Sequence, residues 1–90
     1  MQVGLSDRDV KRELFGSRLR ELRLRVDRTQ EEIAEGARIS LATYNKAENG
    51  RANLSFDTIC RLAPVLQVEL IDLFKFDHHT AKRRRQRMTR

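Results

Sequence analysis

The chain is short of the residues that make cross-links, sheets and metal sites. Cys60 is its only cysteine, so no intrachain disulfide can form, and no Cys/His cluster has zinc-like spacing. Strand signals are nearly absent. No apolar run approaches the ~20 residues that span a bilayer, and the opening MQVGLSDRDVKR lacks a signal-peptide core. No nucleophile–base set and no glycine-rich phosphate loop is present, which argues against an enzyme. His78 and His79 are adjacent in a basic tail, a poor arrangement for converging on one ion, so neither metal nor cofactor is expected. These absences imply a cytoplasmic, non-catalytic protein with no membrane segment.

What is present points to one small helical domain. Ninety residues make a single modest core. With 39% hydrophobic and 36% charged residues, the composition suits a soluble globular chain. The net charge of +6 is uneven: residues 1–76 carry 13 Lys/Arg against 12 Asp/Glu, and residues 77–90 carry 6 against 1. A basic end of that kind fits a polyanion partner, although like-charge runs are often plain solvated tails.

Helical spacing recurs along the body. Ser6 followed by Asp9 resembles a capping box opening a first helix. Phe15, Leu19, Leu22 and Val26 fall on one narrow arc of it, the core stripe. Val10, Leu14 and Leu24 form a second stripe on nearly the opposite side, to be covered by the C-terminal segment or by a second subunit. Thr29 can cap a second helix with Ile33, Ala34 and Ala37 inward, and Ser40 a third with Tyr44 and Ala47 inward. Ser55 can cap a fourth, with Ile59, Leu62, Ala63 and Leu66 inward. Pro64 predicts a kink or an early end there. A fifth short helix is expected over about Glu69–Phe74, contributing Val68, Leu70, Leu73 and Phe74. Cys60 is expected buried or half-buried, and Gly36 and Gly50 read as turn residues.

The outward face of the third helix carries Ala42, Asn45, Lys46 and Asn49, with Leu41 at its leading edge. Such a face can be ordinary surface. It also has what base reading requires: an amide or cation for hydrogen bonds to base edges, and small apolar groups for thymine methyls.

The span Phe15–Phe74 resembles the helix-turn-helix domain of lambda-type phage repressors and Cro, the Xre family. LRELR, TQEEIAEGA, IS, ENG, LSFDTICRLA and VELIDLF occur in family order without a gap. The resemblance implies an all-α, compact five-helix lambda-repressor-like domain whose third helix enters the major groove. It implies base reading by Leu41, Ala42, Thr43, Asn45 and Lys46, and phosphate contacts from Thr29, Gln30, Ser40, Asn49 and Arg51. It also implies a structural ion pair, Arg23 with Glu48, tying the first helix to the third. The chain departs from the family at Arg38, where the turn glycine would stand, so either Arg38 is left-handed or the turn differs. Gln67 likewise replaces a glycine after the fourth helix, and Arg28 replaces an apolar residue whose pocket Val26 would fill. Leu41 and Ala42 stand where glutamines are usual, which implies a different operator.

Three segments are therefore expected: an N-terminal extension with the start of the first helix over 1–14, the DNA-binding domain over 15–76, and a basic, disordered tail over 77–90. The expected function is a sequence-specific transcriptional regulator, a repressor, that binds a pseudo-palindrome of double-stranded DNA as a homodimer. Val65, Ile71 and Phe76 are apolar where a monomer could carry polar side chains, which suggests an interaction patch. That patch sustains an alternative: a protein-interaction module, such as an antitoxin-type partner-binding protein that also regulates its own synthesis.

Overall fold

The structure, a computed structural model, describes residues 6–76. The basic end, with His78 and His79, lies outside the described residues. Four α-helices follow one another: α1 (Asp7–Arg25), α2 (Gln30–Gly36), α3 (Leu41–Glu48) and α4 (Phe56–Val65), then a 3-10 helix at Leu70–Phe74. Each α-helix starts where a hydroxyl can accept an otherwise unpaired N–H. Ser6, Thr29, Ser40 and Ser55 accept from the residue three positions on, and Ser6–Asp9 and Thr29–Glu32 close reciprocal capping boxes.

Each α-helix also ends in the same way. Paired backbone bonds close the ends: Arg28 to Arg23 with Asp27 to Leu24, Ile39 to Ala34 with Arg38 to Glu35, Arg51 to Lys46 with Gly50 to Ala47, and Val68 to Ala63 with Gln67 to Pro64. This six-to-one plus five-to-two pattern needs one left-handed residue, supplied by Asp27, Arg38, Gly50 and Gln67 with φ of 57°, 62°, 74° and 62°. Arg38 therefore takes the left-handed conformation within an ordinary turn geometry. A β-carbon is unfavourable there by about 1–2 kcal/mol, offset in part by the freedom glycine loses on folding. Arg38→Gly should raise stability by about 0.5–1 kcal/mol in urea titration. A destabilised Arg38→Gly protein would show that the arginine side chain supports the turn.

The core is built from the inward faces: Leu19 and Leu22 of α1, Ile33 and Ala34 of α2, Tyr44 and Ala47 of α3, Leu62 and Ala63 of α4, with Ala37, Leu66 and Leu73 between them. Phe15, Val26 and Ile59 are half-buried against this cluster. On the second stripe of α1, Leu14 is buried while Leu24 is exposed. Lys75 and Phe76 share a cleft with both, so the C-terminal segment approaches that side. Pro64 lies in the last turn of α4, which ends one residue later.

Five expectations are corrected. The fifth helix is a 3-10 turn, because so short a segment closes i to i+3 bonds, as Asp72 N–H does to Glu69 O at 2.9 Å. The Asp72 carbonyl accepts from the Lys75 N–H at 3.4 Å and also from Arg18 Nε at 2.8 Å. Phe74 is exposed on one face, with its ring stacked on Phe15 at 5.4 Å. Cys60 is exposed: it sits about 100° around α4 from Ile59, outside the inward arc. Val65 is half-buried against Gly36, where an added Cβ would come within 2.9 Å of Val65 Cγ1. Gly36 is thus a close-packing residue at the end of α2, and the turn conformation falls to Arg38.

Candidate nucleic-acid interface

The cap of α3 decides which face the helix shows. Ser40 Oγ accepts from the Thr43 N–H at 3.0 Å and donates to Thr43 Oγ1 at 2.8 Å. From that start, helical spacing sends Tyr44 and Ala47 into the core and leaves Leu41, Ala42, Asn45, Lys46 and Asn49 exposed. Thr43 is half-buried with its hydroxyl held by Ser40, so it is the least available of the expected base-reading residues.

Behind the exposed face runs a continuous chain of hydrogen bonds. Arg23 donates from Nε to Glu48 Oε2 at 2.6 Å and from Nη2 to Oε1 at 3.2 Å. Gln30 Nε2 donates to the same Oε1 at 2.9 Å, and Gln30 Oε1 accepts from Asn45 Nδ2 at 3.1 Å. Asn49 Nδ2 donates to Asn45 O at 3.0 Å and to its Oδ1 at 3.2 Å. Arg23 Nη1 also donates to Arg28 O at 2.9 Å. One arginine of α1 thus holds the end of α3, the entry to α2 and, through Gln30, the exposed face itself.

The electrostatics of this cluster follow from its burial. The side chains of Glu48 and Arg23 are only 3% and 12% exposed. Burial pushes the Glu48 carboxyl up, but the Arg23 hydrogen bond, with Tyr44 and Gln30 behind it, outweighs burial and holds the carboxyl below its ordinary value. The Tyr44 hydroxyl is buried without a partner at hydrogen-bonding geometry, yet lies close enough to Glu48 and Arg23 to feel their charges. Burial first, and then Glu48, hold that phenol far above its ordinary range. A fork-to-carboxylate pair in such a setting contributes more to fixed geometry than to net stability.

The residues expected at the phosphate backbone divide by how far the fold has already engaged them. Thr29 accepts from Glu32 N–H at 3.1 Å through its hydroxyl and gives its own N–H to Glu32 Oε1 at 2.9 Å. Ser40 is occupied as a cap, Gln30 is half-buried with both ends of its amide engaged, and Asn49 is folded onto Asn45. Arg51 is exposed and uncommitted among the described residues, as is Lys46 on the helix face. Any phosphate contact by Gln30 uses its one remaining amide proton.

Two arginines that spacing alone does not single out fasten neighbouring elements to each other. Arg61 Nε donates to Ala37 O at 2.8 Å, clamping α4 to the turn between α2 and α3. Arg18, on Asp72 O, holds the 3-10 helix to α1. Nothing local marks either, since each bonds a carbonyl far away in sequence. Among the described residues no group of His, Cys, Asp and Glu is placed to hold a metal ion. No described helix is long and apolar enough to cross a membrane.

A helix-turn-helix family model matches residues 19–73. No curated protein matches the chain. Among solved structures, the chain is similar to the restriction-modification controller protein C.AhdI from Aeromonas hydrophila, at 35% identity and a TM-score of 0.67, over 73% of this chain and 97% of that one. It is similar to the clp gene regulator ClgR from C. glutamicum at 29% identity and a TM-score of 0.64, over 69% of this chain and 80% of the other. The hypothetical transcription factor NHTF from Neisseria, 22% identical, shares the fold over 91% of this chain and 94% of its own, with a TM-score of 0.72.

Proposed function

The chain belongs to the helix-turn-helix family, and on that premise we propose that it is a sequence-specific transcriptional regulator, a repressor, binding a pseudo-palindromic operator as a homodimer. The observation that carries the reading is the exposed face of α3, where Leu41, Ala42, Asn45 and Lys46 stand over a fully bonded support. Lys46 meets a guanine edge, Asn45 an adenine edge or a water, and Leu41 and Ala42 the thymine methyls. Arg51 and the remaining amide proton of Gln30 hold the phosphates that set the register, helped by the α2 N-terminus. The descriptions of C.AhdI as a controller protein and of ClgR as a gene regulator support the regulatory role.

Selection of bound sequences from a random duplex pool tests this reading. Enrichment of a two-fold site with half-sites about 10 base pairs apart supports it. Weak, uniform binding that fades with salt would favour the alternative, a partner-binding module, which the exposed apolar side chains also suit.

The homodimer is proposed through α1 and the 3-10 helix, where Leu24 is exposed and Ile71 is 67% exposed. Both are legible in the sequence as surplus apolar residues, and Phe56, at the start of α4, is also 66% exposed. Sedimentation at micromolar concentration should give a dimer that Ile71→Asp weakens. A monomer at every concentration, with and without DNA, contradicts the assembly.

A further inference from the structure

A groove of about 440 Å³ lies between the first turns of α1, the end of α3, the loop that follows it and the end of the 3-10 helix. Its floor is apolar, lined by Phe15, Leu54, Ile59, Phe74 and Phe76. Phe15 and Phe74 stack within it, their rings inclined by 26°. The α1 side is cationic. Arg8, Lys11 and Arg12 line it from positions three and four apart, hence from one face of the helix. No acidic side chain is among the described residues that line it. Lys11 pairs with Asp7 at 3.0 Å on the open surface, a pair of small worth, and Arg12 pairs with Asp9 at 3.1 Å, partly buried. Arg8 makes no ion pair among the described residues.

We propose that this groove binds a small amphiphilic carboxylate, with its apolar body on the phenylalanines and its anionic head at Arg8 and Arg12. The size suits a small molecule, since ligand sites span ~300–1,000 Å³. Charge selects among small molecules. A neutral lipid leaves Arg8 unanswered, and a cationic one is repelled by it. A carboxylate answers the wall while its tail covers apolar surface worth roughly 25 cal/mol per Å² buried. The inference does not rest on base reading by α3, because the groove meets that helix only at Ala47, on its inward face.

The test is a methyl NMR titration of the full chain with decanoate, below the concentration at which it forms micelles, with decan-1-ol and decylammonium as comparison probes. Decanoate should give saturable shifts at the Leu54 and Ile59 methyls, and decylammonium none. Arg8→Ser, an exposed change whose unaltered melting temperature shows it to be folded, should weaken decanoate about fivefold. Equal binding of all three probes, unsaturable shifts, shifts centred instead on Ile71, or an unchanged affinity in Arg8→Ser would each overturn the proposal. Shifts of the same methyls that follow protein concentration without decanoate would give the groove to a second copy of the chain, and overturn it too.

Discussion

Glu48→Ala should cost about 3 kcal/mol of folding stability, because it strands a nearly buried guanidinium. Arg23 would keep only its bond to Arg28 O, and Gln30 would lose the acceptor that orients it toward Asn45. An exposed ion pair would cost less than about 1 kcal/mol, so denaturant titration separates the two cases. The acid limb gives a second reading of the same contact. Glu48 is held below its ordinary value of 4.5, so its contribution is complete above that pH and is lost as pH falls through its folded-state pKa. Wild type should therefore lose more stability on acidification below pH 4.5 than Glu48→Gln does. A loss near zero in Glu48→Ala, with identical acid limbs, would mean that the pair does not hold α1 to α3.

Gly16→Ala should be about as damaging, at about 3 kcal/mol. A Cβ at residue 16 would fall 2.4 Å from Ala47 O and 2.6 Å from Glu48 O. Both are backbone atoms at the end of α3 and have no rotamer to yield. The helices would have to part by about an ångström, which forfeits a quarter to a half of each dispersion contact. Alanine regains about 1 kcal/mol over glycine inside a helix, so only a severe clash leaves a net loss. Arg20→Ala, exposed on the same helix, should stay within about 0.5 kcal/mol of wild type. A neutral or stabilising Gly16→Ala would refute the close approach of α1 to α3.

The contrast between those two sites shows what a sequence can reveal here. Caps are local, so Ser6, Thr29, Ser40 and Ser55 could be found by looking three residues ahead. Buried faces repeat with the helical period, so Ile33, Tyr44 and Leu62 could be placed before any packing was known. The Arg23–Glu48 pair was reached through resemblance and not through spacing, since 25 residues separate its partners. Gly16 carried no such signal. A glycine inside an amphipathic helix reads as a weak point until the backbone opposite it is known. Cys60 was misjudged because an apolar-looking residue was read by type and not by its angle on α4. The 3-10 geometry of Leu70–Phe74 carries no signal in side-chain spacing, because it follows from a segment too short to sustain i to i+4 bonds. Gln30, read as a phosphate ligand, is also the brace between Glu48 and Asn45, a role only the assembled fold exposes.

The claim that the exposed face of α3 reads bases is tested most directly by selecting duplex sequences with wild type, Lys46→Ala and Arg51→Ala in parallel. Lys46 is exposed on the helix face and Arg51 lies just beyond the helix, so neither change should move the melting temperature. Lys46→Ala should relax preference at one base pair per half-site and cost about 1–3 kcal/mol at the best site. Arg51→Ala should weaken all sequences by similar factors and leave their ranking intact. If folded Lys46→Ala selects and binds every sequence as wild type does, α3 is not the reading helix, and the partner-binding alternative replaces it.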